Sequence, residues 1–448
     1  MKQVVKVSGL RGVLEERVGT MKQNPPRRLY MDNAATSFPK PKAVVEAMVH
    51  YAINVGASAG RGAYKEALES RAIIHECREQ LCRMFNGENP DHFIFAQNCS
   101  DALNLAIKGI LHAGEYNHVV CTEIDHNSVL RPLNTLAQQG AVEQTRIRVD
   151  PTTGFLDPDD LARAIRPNTR LIVITHASNV TGTLQPLRQI GEIAQRHGVP
   201  LLVDAAQSAG HVPIDLQADH VDLLAAPGHK GLLGPLGTGF LYIRPGLEKT
   251  LNTLREGGTG SVSEQDTNPD FMPDKYEAGS HNAIGIAGLL AGLKWHREQT
   301  IERVAAHEAR LTEVFIQRLR RLERVKYYGP PAAHGRVAVF SVTIEGLEPY
   351  ELSASLEANY GILTRTGLHC APVIHRLLGT TEGGGTTRFS FGPFLKEEDV
   401  EYAADALAEI AKPSRIAARA MTIGESGLIN RSKHQGSRAT LDNCIFTT

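Results

Sequence analysis

The chain has 448 residues, 42% of them hydrophobic, enough for a sizeable core and for about two or three domains. Its 48 basic and 49 acidic residues leave a formal net charge of -1, which argues against nucleic acid or an anionic membrane surface as a partner held by bulk electrostatics. No stretch approaches a membrane span, and Met1 to Thr20 carry Lys2, Lys6, Arg11, Glu15, Glu16 and Arg17 in place of a signal-peptide core.

Residues 1–28 read as an N-terminal extension ending in Asn24-Pro25-Pro26-Arg27-Arg28, with Met21 as an alternative start. A helix is predicted over 43–54, with Pro41 where a first turn tolerates it, and a longer one over 64–85 with Cys77 and Cys82 as packing residues. Then short apolar runs (92–96, 119–122, 142–149, 171–175, 201–203, 221–225 and 239–243) alternate with helical stretches over 101–111, 128–139, 158–165 and 187–197. About seven nearly all-apolar strands separated by helices predict a mostly parallel sheet covered on both faces, with ligands at its C-terminal strand ends. The glycine-rich run Gly234-Pro235-Leu236-Gly237-Thr238-Gly239 precedes a strand and not a helix, so it is not a nucleotide loop.

After Gly279 the composition changes to a long helical stretch over 284–324, then strands at 337–344, 362–364 and 388–391 and helices over 350–360 and 396–411. The expected organisation is a segment 29–45 that joins a smaller C-terminal α+β domain, a large domain over 46–290, the small domain over 291–412, and a tail over 413–448. Six cysteines (Cys77, Cys82, Cys99, Cys121, Cys370 and Cys444) without a Cys-x-x-Cys pair fit a reducing, cytoplasmic compartment, and no metal-ligand spacing is present.

Chemistry collects after the strands. Lys230, in Gly228-His229-Lys230-Gly231 just past an apolar run, is placed to form a Schiff base with a carbonyl ligand; alone it reads more simply as a surface lysine in a turn. Asp204 ends another apolar run and needs a partner, which a protonated pyridine nitrogen supplies. Ser100 follows a strand and opens a helix, where it either holds a phosphate or caps the helix with Asp101. His126 either stacks on a flat ring or satisfies backbone groups. Together these residues specify pyridoxal phosphate. Farther on, Cys370 lies in a turn-forming segment beside His369 and downstream of Arg365, both expected to favour its thiolate, and Arg388 can fork onto a carboxylate.

Asp32-Asn33-Ala34-Ala35-Thr36, His176 to Gly182, Asp204-Ala205-Ala206-Gln207, Gly228-His229-Lys230, Glu277-Ala278-Gly279-Ser280 and Arg365 to Ala371 together resemble the pyridoxal-phosphate cysteine desulfurases, the group that includes selenocysteine lyases. The resemblance covers about residues 30–411 and implies an α/β, fold type I, class V aminotransferase-like enzyme with a large seven-stranded domain and a smaller α+β domain. It implies that Lys230 carries the cofactor, Asp204 pairs with its ring nitrogen and His126 stacks on it. Gln207 and Asn179 would contact the ring oxygen or substrate, and Cys99, Ser100 and His229 would line the phosphate site, with Ser280 reaching across a homodimer interface. Arg388, Arg365, Asn179 and Ala35 would meet the substrate, L-cysteine. Cys370 would take its sulfur as a persulfide, leaving L-alanine, and pass it to an acceptor protein for sulfur metabolism such as iron-sulfur cluster assembly. Three residues depart from the family pattern: Pro227 in place of a phosphate-binding serine, Cys99 in place of threonine, and Leu368 in place of one of two histidines. A selenocysteine lyase, an aminotransferase or epimerase, and a non-catalytic scaffold remain open alternatives.

Overall fold

In this computed structural model, residues 27–60, 62–111, 117–262 and 264–413 are described; the expectations for 1–26 and for 414–448, including Met21 and Cys444, lie outside them. The chain opens with β1 (Leu29–Tyr30), α1 (Lys42–His50), which ends in a π turn at Tyr51–Val55, and α2 (Lys65–Met84). It continues through β2 (Phe93–Ala96), α3 (Cys99–Ile110), β3 (Asn117–Thr122), α4 (Asn127–Gln138), β4 (Val142–Ile147), α5 (Pro158–Ala164), β5 (Thr169–Thr175), α6 (Leu187–His197), β6 (Leu201–Asp204), β7 (Leu223–Pro227) and β8 (Gly239–Ile243). The remainder is α7 (Ala283–Gln299), α8 (Ile301–Leu319), β9 (Val325–Tyr327), β10 (Val339–Ile344), α9 (Pro349–Tyr360), β11 (Ile362–Leu363), β12 (Arg365–Gly367), α10 (Pro372–Leu377), β13 (Thr386–Ser390) and α11 (Glu397–Ile410).

The seven-stranded sheet has the order β2-β8-β7-β6-β5-β3-β4, and only β8 runs against the others. Its strands are apolar without alternation because both faces are covered. Ile172 and Ile174 of β5 join one core with α2, α6 and α7, while Leu171 and Val173 join a second core with α3 and α4. A third core packs α8, α9 and α11 on the four-stranded antiparallel sheet β12-β13-β10-β9. Leu29 and Met31 belong to this third core, and β1 pairs with β11.

The helical stretch expected over 284–324 is two helices, broken at Thr300 with φ 61°. No glycine or proline marks the break. It follows from packing: α7 serves the core of the large sheet and α8 that of the small one, so the chain must turn between them. The strand expected over 142–149 stops at Ile147, and Val149 instead bridges Leu156. Cys77 is buried, as a packing residue would be, and the partly buried Cys82 donates its thiol to the Gly87 carbonyl. No helix among the described residues is long and apolar enough to cross a membrane.

β2 is an edge strand, and its outward backbone groups are claimed by side chains. Arg78 donates to the Phe93 carbonyl and lies over the Phe95 ring, while Glu277 accepts from the Phe95 amide at 2.6 Å. The two are joined by a buried bidentate pair of 2.8 and 2.5 Å. Burial opposes the Glu277 charge, but Arg78 and His281 prevail and hold its pKa at about 2, against the usual 4.5. Its folded pKa is depressed, so the stability it contributes is present above the ordinary carboxylate range and is lost as pH falls toward about 2. Glu277→Gln leaves Arg78 buried and unpaired and should cost about 3 kcal/mol near neutral pH. Urea melts of both proteins should show that difference narrowing as pH falls below about 4.5.

Candidate active site

The C-terminal ends of the parallel strands open into a cleft of about 120 Å³, where polar residues follow each apolar strand. Cys99, Ser100, His126, Asn179, Asp204, Gln207, His229 and Lys230 all line it.

Lys230 sits just past β7 in a loop braced by Gly234 N donating to the Gly228 carbonyl at 2.8 Å. Glycine is required beside it, since a Cβ on Gly231 would lie 2.2 Å from the Ala209 carbonyl oxygen. Among the described residues Lys230 forms no ion pair. Burial lowers its pKa, Cys99 and Asp204 oppose that shift, and Arg388 and Arg365 add to it. Asp204, only 2% exposed, accepts at Oδ1 from Ala206 N at 2.9 Å and from the Cys99 thiol at 3.5 Å, and no described residue donates to Oδ2. Burial raises the pKa of this carboxyl, and the Ala206 N–H, Lys230 and Cys99 restrain the rise.

His126 caps α4: its Nδ1 accepts from Ser128 N at 3.1 Å, so in this arrangement the ring proton lies on Nε2. Burial first, then Lys230, Arg365, Arg388 and Arg131, hold its pKa at about 4. The ring is therefore neutral near pH 7, in a cleft whose electrostatic excess is positive.

The cap of α3 is Asn98, which accepts from Asp101 N at 3.0 Å, and not Ser100 or Asp101. Ser100 is thereby released to the cleft, where its hydroxyl meets Ser128 Oγ at 2.6 Å. Ser128 was missed from sequence. The signal was available, because Ser128 is the second residue of α4 just as Ser100 is the second residue of α3. The His229 Nδ1 atom is buried without a partner among the described residues, and burial, Lys230 and Lys40 hold that ring near pKa 4.

Other predicted residues do not line this cleft directly. Cys370 is exposed, in a turn closed by Ala371 N donating to the Leu368 carbonyl at 2.9 Å. Both His369 (φ 48°) and Cys370 (φ 58°) are left-handed, a costly conformation for two successive side-chain-bearing residues. It is fixed from the large sheet: Asn179 Nδ2 donates to the His369 carbonyl at 2.6 Å and Asn127 N to the Cys370 carbonyl at 2.9 Å. The expectation that His369 supplies positive charge to the thiol is corrected. Its ring is buried, meets Thr386 Oγ1 at 3.1 Å, and is held neutral at a pKa of about 2 by burial and by Arg388.

Arg388 is 2% exposed and buried in an ion pair: Nη2 donates to Asp32 Oδ1 at 2.8 Å and Nη1 to the Asn179 carbonyl at 3.3 Å. Arg365 stands opposite it in the β12-β13 ladder and is exposed. Like charges side by side are unfavourable unless an anion lies between them. Ala35 lies in the turn after Asp32, next to Ala34, whose carbonyl accepts from Gln207 Nε2 at 3.0 Å. Ser280 is exposed and lines a separate cleft with Gln97, Arg255 and Asn282.

The sequence matches the aminotransferase class-V family over residues 29–403. A probable cysteine desulfurase of Methanothermobacter thermautotrophicus is 35% identical over 86% of this chain and 94% of its own length. One from Pyrococcus abyssi is 32% identical over 86% of this chain and 95% of its own. The apo structure of a cysteine desulfurase from Thermococcus onnurineus NA1 superposes with a TM-score of 0.80 at 32% identity, covering 86% of this chain and 94% of that one. An Escherichia coli cysteine desulfurase gives 0.75 at 26% identity, covering 85% and 94%. The cleft suits the pyridoxal 5'-phosphate on which the family depends: among the described residues it offers an amine without a counter-ion, a buried carboxylate with one unclaimed oxygen, and hydroxyl and imidazole groups at a helix N-terminus. The chain belongs to the pyridoxal-phosphate-dependent class-V aminotransferase family.

Proposed function

We propose that this protein is a cysteine desulfurase, which converts L-cysteine to L-alanine and transfers the sulfur through a persulfide on Cys370 to an acceptor. The observation that carries the reading is the pinned turn. The carbonyl of Cys370, whose thiol is exposed, accepts from the amide of Asn127, and the neighbouring His126 lines a cleft that also contains Lys230, an amine without a counter-ion among the described residues. The relatives named as cysteine desulfurases support it.

Bound pyridoxal phosphate supplies the electron sink that makes the substrate's Cα–H and Cβ–S bonds breakable. In this reading Lys230 would hold its aldehyde and would move the Cα proton, a task suited to an amine whose pKa burial has lowered. Asp204 would keep the ring nitrogen charged, neutral His126 would pack on the ring, and Gln207 and Asn179 would meet the ring oxygen and the substrate. Ser100, Ser128 and His229, with the α3 N-terminus beside Cys99, receive the phosphate. Arg388, with Arg365 across the ladder, takes the substrate carboxylate, and Ala35 lies alongside. Cys370 attacks the substrate sulfur as thiolate: an S–S bond forms, the Cβ–S bond breaks, and its electron pair stays on Cβ, which takes a proton to become the methyl group of alanine. The exposure of Cys370 leaves the persulfide within reach of an acceptor protein, and a reducing cytoplasm suits the free thiol.

The active assembly is a homodimer. Val45, Val49 and Ile53 form a stripe along α1 and the π turn that follows it, 52%, 51% and 75% exposed, and Leu236 and Ile284 are also exposed, at 67% and 42%. A stripe of this kind calls for a covering surface. The exposed Ser280 then serves the phosphate site of the partner subunit.

Lys230→Ala should abolish the visible absorbance of bound cofactor, while Cys370→Ala should keep it and lose sulfide release. Mass spectrometry of the wild-type protein after cysteine treatment should find one added sulfur on Cys370; sulfide release that survives in Cys370→Ala would refute the assignment of the nucleophile. In sedimentation, Val49→Glu with Ile53→Glu should convert a dimer to monomer, and an unaltered dimer would move the interface elsewhere.

A further inference from the structure

The carbonyl oxygen of His229, in the peptide that precedes Lys230, is surrounded by donors from one remote segment. Ser37 N, Ser37 Oγ and Thr36 Oγ1 each lie 3.1 Å from it, and Lys40 Nζ lies 2.8 Å away. A carbonyl has two lone pairs, so four donors on one oxygen are more than hydrogen-bond satisfaction requires. The ammonium is tied into the same group, since Lys40 Nζ donates to Ser37 Oγ at 2.6 Å. Lys40 is partly buried with no carboxylate partner among the described residues, and burial lowers its pKa to about 8 from the usual 10.5. A charge placed at that cost is expected to serve a purpose.

The segment is held at its other end as well. Asp32 bridges Ser390 and pairs with Arg388, and Ala34 N donates to Ser390 Oγ at 2.8 Å. Residues 32–40 therefore form a strap from the arginine of the small sheet to the lysine loop of the large one. The loop's own hydrogen bonds, Gly228 N to the Thr238 carbonyl at 2.8 Å and Leu233 N to the Lys230 carbonyl at 2.9 Å, lie on either side of the His229-Lys230 peptide and leave its orientation to the strap.

We propose that Lys40 is a positioning residue for Lys230: with Thr36 and Ser37 it fixes the His229-Lys230 peptide, and so aims the Lys230 amine into the cleft. The proposal rests on the reading of Lys230 as the cofactor-bearing amine. Hydrogen bonds from charged donors are among the stronger ones, and small displacements of a reacting group are costly in rate.

The test uses Lys40→Met, which keeps the apolar stem and removes the charge. Rebinding of pyridoxal phosphate to the apoprotein, followed by its visible absorbance, should slow about tenfold. The kcat for sulfide release from L-cysteine should fall by about the same factor with KM changed less than about twofold, and Lys40→Arg should recover most of both. Rebinding and kcat equal to wild type in Lys40→Met would overturn the proposal, as would a loss that Lys40→Arg shares in full. If Lys40→Met does not fold, Ser37→Ala removes one donor from His229 and the acceptor of Lys40. Rebinding slowed about threefold would then support the role, and unchanged rebinding would overturn it. Lys230→Ala runs in parallel. If it binds cofactor with wild-type absorbance, the reading of Lys230 falls. If it loses that absorbance while Lys40→Met matches wild type, only the role of Lys40 falls.

Discussion

A primary amine kept, among the described residues, without a counter-ion at the end of a buried strand is an unfavourable arrangement, and much of this structure serves to maintain it. Lys230 emerges from a sheet covered on both faces, in a loop that must contain glycine at 231 because the Ala209 carbonyl leaves no room for a side chain. Asp204, whose charge acts on the lysine, already accepts a backbone amide and a thiol at one oxygen and makes no ion pair with it. Arg365 and Arg388 add positive potential, so the amine is drawn toward its neutral, nucleophilic form. Burial, and after it the same potential, keeps His126 neutral, and the potential makes the cleft receptive to anions.

The second costly feature is the left-handed pair His369-Cys370. Strain of this kind persists only where surrounding groups over-determine it. Here the clamps are Asn127, beside the neutral His126, and Asn179, whose own carbonyl holds Arg388. Thiol, imidazole and guanidinium are thus connected through asparagines at strand ends of the large sheet. A shift in one loop would move all three, which suits a reaction in which they must meet one small substrate.

Much of the site was legible in the sequence because the sheet is parallel. Strands of that kind deliver their following residues to one edge, so Ser100, His126, Asn179, Asp204 and Lys230 could be grouped by reading what comes after each apolar run. Arg365 and Arg388 belong to the other sheet and Cys370 to the turn that follows β12, and no periodicity relates them to the large sheet. The charge of the His369 ring was misjudged for a related reason: adjacency to Cys370 in sequence does not show that the ring is buried against Thr386 and beside Arg388.

The sequence by itself determined the alternation of buried strands and helices, the residues at their ends, and the family, since each is written in a local run of side chains. Only the tertiary structure decided the break at Thr300, the pairing of Asp32 with Arg388, the meeting of Ser100 with Ser128, and the grip of Lys40 on the His229 carbonyl. These depend on contacts between segments distant in the chain, whose geometry is fixed by how three cores pack together and not by any local pattern of residues.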